Sequence, residues 1–251
     1  MRRRVIAFDL DNTLADSKSP VTREIARLLN GLLKAYEVCV ISGAKFEQFE
    51  TQLLDNMKAV PRALAHLHIM PTCGTRYFRY DLAAQAWQQV YAEDLTAKQK
   101  AKIVAALDRG ADELGYRPTK LWGAQIEDRG SQVTFSALGQ EAPVTEKEAW
   151  DPDGSKKRKL HDLVAKAIPE FEIHIGGTTS IDVTKPGIDK AYGIAKLIEL
   201  LAVTKQDVLF VGDRLSKGGN DYPVKAMGVD CIEVARWQDT ALVVETILGV
   251  T

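Results

Sequence analysis

Short apolar runs alternate with longer amphipathic stretches through the first part of the chain. Arg4–Asp9 reads as a buried strand, and Val21–Tyr36 as a helix with Ile25, Leu28, Leu29, Leu32 and Leu33 on one face. Glu37–Ile41 is a second strand, followed by the polar turn Ser42-Gly43-Ala44-Lys45 and a helix to about Met57. His66–Met70 reads as a third strand. This βαβα rhythm predicts a parallel sheet covered by helices.

From Tyr77 the pattern changes. Tyr77–Tyr80 and Trp87–Tyr91 predict a hairpin leading out of the core, and Thr96–Leu114 a helix with Ile103, Leu107, Ala111 and Leu114 in register. Ala124–Asp128 and Gln132–Leu138 flank Arg129-Gly130, a tight hairpin signal. A polar loop at Trp150–Ser155 leads into a basic amphipathic helix, Ser155–Ile168, and then strands Phe171–Ile175 and Thr179–Val183. After Pro186-Gly187 the first rhythm returns, with a helix over Asp189–Leu201 and strands at Asp207–Val211 and Val229–Val234. The expected fold is α/β: a Rossmann-like, doubly wound parallel sheet core (residues 1–82 and 186–251). An inserted α+β cap domain, residues 83–185, interrupts it.

The 251 residues, 45% hydrophobic and 27% charged, have the composition of an ordinary globular chain. A net charge of −1 gives no attraction to nucleic acid or to an anionic membrane, so neither is an expected partner. The apolar run after Met1-Arg2-Arg3-Arg4 ends at Asp9, too short for a signal peptide. Cys39, Cys73 and Cys231 lack C-x-x-C spacing, which argues against disulfides or a zinc site and fits a cytoplasmic setting. Assembly as a homodimer is left open.

The chemistry starts at Asp9-Leu-Asp11-Asn12-Thr13, directly after Val5-Ile6-Ala7-Phe8. Residues two apart on a strand point to one side, and open α/β sheets bind ligands past the carboxyl ends of their strands. One carboxylate can attack phosphorus while the other handles a proton. Such crowded negative charge calls for a hard cation, Mg2+ foremost; Asp-Asn-Thr is also good turn chemistry. A second strand runs into Gly212-Asp213, with Gly218-Gly219-Asn220-Asp221 close behind. Asp213 can complete a metal site with the Asp9 carboxylate and the Asp11 main-chain oxygen, or Asn220-Asp221 can simply cap a helix. Ser42, after its strand, can hold phosphate with nearby N–H groups or serve as an N-cap, and Lys190 can neutralise phosphate or be solvated.

In order and spacing, Asp9–Thr13, Ser42, Lys190 and Gly212–Asp221 resemble the four motifs of the haloacid dehalogenase superfamily of phosphotransferases. The resemblance makes Asp9 the nucleophile and Asp11 the general acid/base and main-chain metal ligand. It makes Ser42, Gly43 and Lys190 the phosphate grip, and Asp213 a Mg2+ ligand supported by Asn220 and Asp221. Asn12 stands where that family commonly has Gly, and Asn tolerates the same backbone. An insert between Ser42 and Lys190 is similar to members with a large α/β cap, above all eukaryotic-type phosphomannomutases. Ile126–Gly130, Gly176–Val183 and Pro186–Lys190 carry that likeness. It places Arg129, Lys147, Ser180 and Asp182 on the sugar phosphate. Where those mutases carry further cap arginines, this chain has Gln140 and Lys147, and neither has Arg's bidentate fork. The expectation is a Mg2+-dependent phosphatase acting on a small phosphorylated metabolite, a sugar phosphate. The alternatives are a phosphomannomutase-like phosphohexomutase and a non-catalytic phosphosugar-binding regulator.

Overall fold

A computed structural model describes residues 3–250. They form two compact units: one runs to Ala92 and resumes at Asp189, and the other is Glu93–Ile188.

The first unit is built on a seven-stranded sheet of order β11-β10-β1-β2-β3-β4-β5. Its strands are β1 (Val5–Phe8), β2 (Glu37–Ile41), β3 (Leu67–Met70), β4 (Arg76–Asp81), β5 (Ala86–Ala92), β10 (Val208–Gly212) and β11 (Asp230–Glu233). β11, β10, β1, β2 and β3 are mutually parallel, with Val5 opposite Val208 and Glu37. β1 is buried and apolar at every position, and Val38–Ile41 of β2 likewise, as parallel strands covered on both faces require. Ile6, Phe8, Val38 and Val40 enter one core; Val5, Ala7, Cys39 and Ile41 enter the other.

Helix α1 (Arg23–Leu32) begins where the Thr22 hydroxyl accepts a hydrogen bond from the Ile25 N–H at 3.3 Å. It buries Ile25, Leu28, Leu29 and Leu32, each stabilising by about 1.5–3 kcal/mol. The helix after Ser42 runs α2 (Phe46–Phe49), a π-helical turn (Glu50–Leu54) and α3 (Asp55–Met57); α4 (Pro61–Leu64) follows. No helix among the described residues is long and apolar enough to cross a membrane.

The hairpin does not lead outward as its sequence predicts. β4 pairs antiparallel with β3, placing Ile69 opposite Phe78, so β4 and β5 extend the large sheet. Phe78 stacks on Phe46 of α2 at 3.9 Å, and Trp87 packs beside the same ring. Burial of these aromatics holds the hairpin on the core, so the first unit continues to Ala92 instead of stopping at residue 82.

The second unit is a four-stranded antiparallel sheet of order β6-β7-β9-β8, from β6 (Ile126–Asp128), β7 (Gln132–Ser136), β8 (Glu172–Ile175) and β9 (Ser180–Thr184). Helices α5 (Ala97–Glu113) and α7 (Ser155–Ala167) pack Ile103, Leu107, Leu160 and Val164 against Val133, Phe135, Ile181 and Val183. Between them lies α6 (Val144–Trp150), a helix with no buried residue. The first unit then resumes with α8 (Lys190–Leu200), capped by the Asp189 side chain, and later α9 (Tyr222–Ala226) and α10 (Trp237–Gly249).

One polar chain crosses the large sheet. Tyr77 donates to His68 Nδ1 at 2.7 Å, and His68 Nε2 donates to Glu37 at 2.9 Å. Burial lowers the His68 pKa, against the pull of Glu37, and so favours the neutral ring. Burial also opposes the charge of Glu37, but hydrogen bonds from His68 and His66 outweigh it and lower its pKa from 4.5 to about 2. A carboxyl depressed by folding stabilises fully above its unfolded pKa, and that contribution fades as pH falls through its folded value. Glu37→Gln is expected to lower the melting temperature at neutral pH. The gap from wild type should close as pH falls from 4.5 toward 2 in a pH series of melting curves.

Candidate active site

The site lies past the carboxyl ends of β1 and β10, which are neighbours in the sheet. The Asp9 N–H bonds to Val211 O at 3.0 Å, so the residue continues the β1 ladder and its backbone is fixed by the sheet. Asp9 is only 3% exposed. Next to it stands the Lys190 ammonium, 2.5 Å from Asp9 Oδ1 and 2.6 Å from Asp221 Oδ1. Lys190 comes from the first turn of α8 and Asp221 from the loop before α9, and both are buried.

Asp221 is further held by the Arg214 N–H, which donates to its Oδ2 at 3.0 Å. Gly212 is required here, because a Cβ would sit 2.5 Å from that same Oδ2. Carboxylate oxygens of Asp9, Asp213 and Asp221 lie within 4.8 Å of one another. Burial raises the Asp9 pKa well above its ordinary value, Lys190 opposes the rise, and Asp221 and Asp213 add to it. Asp213 is raised by burial and by Asp221. Burial works against the charge of Lys190, but Asp9 and Asp221 outweigh it and raise its pKa. Crowding and burial thus disfavour full ionisation of the three acids beside a single ammonium, and a divalent cation would relieve that.

Asp11 stands apart from this cluster. Its Oδ1 accepts from the Lys18 N–H at 2.7 Å and from Gln52 Nε2 at 3.3 Å, and its Oδ2 accepts from Gln48 Nε2 at 3.3 Å. Directly after Asp11, Asn12 takes φ of 61°, the left-handed backbone that its side chain tolerates. Ser42 follows β2, one strand over from β1; it is buried, and its hydroxyl accepts from the Ala44 N–H at 3.3 Å. Gly43 lies between them in this turn.

The first unit thus brings together Asp9, Lys190, Asp213 and Asp221. Asn220 is exposed beside the buried Asp221. Sequence reasoning gives Asp221 only a supporting part, yet its carboxylate is a full member of the acid cluster and shares Lys190 with Asp9. Sequence reasoning does not find Gln48 and Gln52. Their only signal is i,i+4 spacing on the helix after Ser42.

The remaining candidates lie in the second unit. Arg129 Nε donates to Glu127 at 2.8 Å, and its Nη2 to Gln140 Oε1 at 3.3 Å. Lys147, on α6, donates to Gln140 O at 3.4 Å. Asp182 accepts from Thr134 Oγ1 at 2.6 Å across β7 and β9, and Ser180 opens β9.

Fold and site together agree with the resemblance to the haloacid dehalogenase superfamily. The fold matches an IMP-bound variant of Plasmodium falciparum IMP-nucleotidase with a TM-score of 0.76 at 16% identity, over all of this chain and 68% of that one. It also matches a haloacid dehalogenase-like hydrolase from Bacteroides thetaiotaomicron, TM-score 0.64 at 15% identity, over both chains in full. The sequence is 25% identical over 227 residues to a phosphomannomutase of Schizosaccharomyces pombe, covering 88% of this chain and 85% of that one. Its identity to the Saccharomyces cerevisiae phosphomannomutase is 24% over 232 residues, covering 88% and 84% of the two chains. The family model for eukaryotic phosphomannomutase matches residues 25–249, and the chain belongs to that family.

Removing Lys190 leaves buried acids without their counter-charge, a loss that typically costs about 3–5 kcal/mol. Lys190→Met is therefore expected to unfold at markedly lower urea, with its slope against urea unchanged.

Proposed function

We propose that the protein is a Mg2+-dependent phosphoric monoester hydrolase acting on a small phosphorylated metabolite, a sugar phosphate. The observation that carries this reading is the Asp9 carboxyl, buried at a strand end 2.5 Å from Lys190 with Asp213 and Asp221 beside it. A nucleophile needs rigid placement and local positive charge, and both are present.

In the first step an Asp9 oxygen bonds to phosphorus as the P–O bond to the sugar breaks, and Asp11 gives a proton to the departing oxygen. Water then attacks the aspartyl-phosphate and Asp11 takes a proton back, which frees phosphate and restores Asp9. Lys190 offsets the charge of nucleophile and phosphoryl group, while Ser42 and the Gly43 turn offer hydrogen bonds to the phosphoryl oxygens. Asp9, Asp213 and the Asp11 carbonyl would hold Mg2+, with Asp221 and Asn220 in support; the ion would neutralise the excess negative charge and polarise the phosphoryl group.

Recognition of the sugar is assigned to Arg129, Lys147, Ser180 and Asp182. Family membership favours a second reading, a phosphohexomutase, since the relatives named above are phosphomannomutases. The second unit favours the hydrolase. The charge of Arg129 is paired with Glu127, and the neighbouring positions are Gln140 and Lys147. A mutase must grip a second phosphate while a bisphosphate intermediate reorients, and these residues supply little unpaired charge for that.

Incubation with a panel of phosphosugars and Mg2+ is expected to release inorganic phosphate, which excess chelator abolishes. Isomerisation that depends on a bisphosphate activator, without net phosphate release, would establish the mutase instead. Asp9→Asn is expected to reduce turnover to background while its melting curve stays cooperative. Arg129→Ala should raise KM for the preferred phosphosugar and leave p-nitrophenyl phosphate almost unaffected; equal losses on both would refute its assignment.

A further inference from the structure

We infer that Gln52, assisted by Gln48, positions Asp11 for proton transfer to the leaving group. This inference rests on the reading of Asp11 as general acid/base. Gln52 is 2% exposed, and both hydrogens of its amide are committed: one to Asp11 Oδ1 at 3.3 Å, the other to Ser19 O at 2.9 Å. Its Oε1 accepts from Gln48 Nε2 at 2.5 Å, and Gln48 Nε2 also reaches Asp11 Oδ2 at 3.3 Å. With Asp11 ionised, turning the Gln52 amide over would set its oxygen against Asp11 and Ser19 O, three acceptors with no proton among them. The network therefore has one orientation, and it presents only donors to the carboxylate.

The backbone supports the same placement. Gln52 sits inside the π-helical turn Glu50–Leu54, where the Asp55 N–H reaches back five residues to Glu50 O. Such turns inside α-helices are frequent at functional sites. The Gln52 carbonyl accepts from the Val21 N–H at 2.8 Å, so the residue holds the loop that follows Asp11 at two points besides Asp11 itself. At Lys18, which also donates to Asp11, that loop turns through φ of 57°. A plain strut for the loop would need only the Ser19 and Val21 bonds. The Gln48–Gln52 pair on both carboxylate oxygens goes beyond that need.

A positioned acid matters most when the leaving oxygen is a poor leaving group, and general acid–base catalysis is worth ~10²–10⁴-fold. The test uses the phosphosugar hydrolysed fastest in the panel, and p-nitrophenyl phosphate, whose leaving group departs without a proton. Gln52→Met is expected to lower kcat on the phosphosugar by about tenfold or more with KM little changed. The pre-steady-state burst of nitrophenolate should keep its rate. Gln48→Met, at a half-buried position, should show the same split more weakly without loss of thermal stability. Equal losses on both substrates, or no loss on either, in both variants would overturn the positioning role. Asp11→Asn run alongside separates the two layers. If it too lacks the split, the reading of Asp11 falls; if it shows the split and the glutamine variants do not, only this inference falls.

Discussion

The Lys190 ammonium, buried between Asp9 and Asp221, is the contact on which the first unit's site depends. It joins the end of β1, the start of α8 and the loop beyond β10, segments far apart in sequence. Burying an ion is costly, and only close oxygens repay that cost. The arrangement is therefore all or nothing: remove the ammonium and the acids repel, remove an acid and the ammonium is stranded. Gly212 belongs to this constraint, because its missing side chain is the space that Asp221 occupies.

Much of this was legible in the chain. A parallel strand covered on both faces has to be continuously apolar, so Val5–Phe8, Val38–Ile41 and Val208–Val211 announce themselves, as do the acids that end two of them. Asn12 was legible for its backbone, and the φ of 61° agrees. The second unit's paired strands and two long helices were also readable, because each buries a regular apolar stripe.

What escaped has physical reasons. α6 buries nothing, so it carries no periodic signal. In α10 the run Ala241–Val244 is rich in β-branched residues, which do not discriminate helix from strand. The placement of β4 and β5 turns on Phe46, Phe78 and Trp87 meeting, a tertiary contact among residues separated in sequence. The full part of Asp221 and the part of Gln52 were hidden for another reason: what marks them is a partner's position, and residue type alone does not reveal which acid or amide is buried beside a charge.

The pairing of Val5 with Val208 has a consequence for how this chain can change over evolutionary time. The sheet closes only after the whole of Glu93–Ile188 has been looped out. Closure entropy grows with the logarithm of loop length, each doubling adding about 0.6 kcal/mol. An insertion at this point can therefore lengthen, shorten or be exchanged with little thermodynamic effect on the strands that flank it. The toll falls on rate, since long-range pairing slows folding. The two units are thus free to diverge at different speeds within one chain.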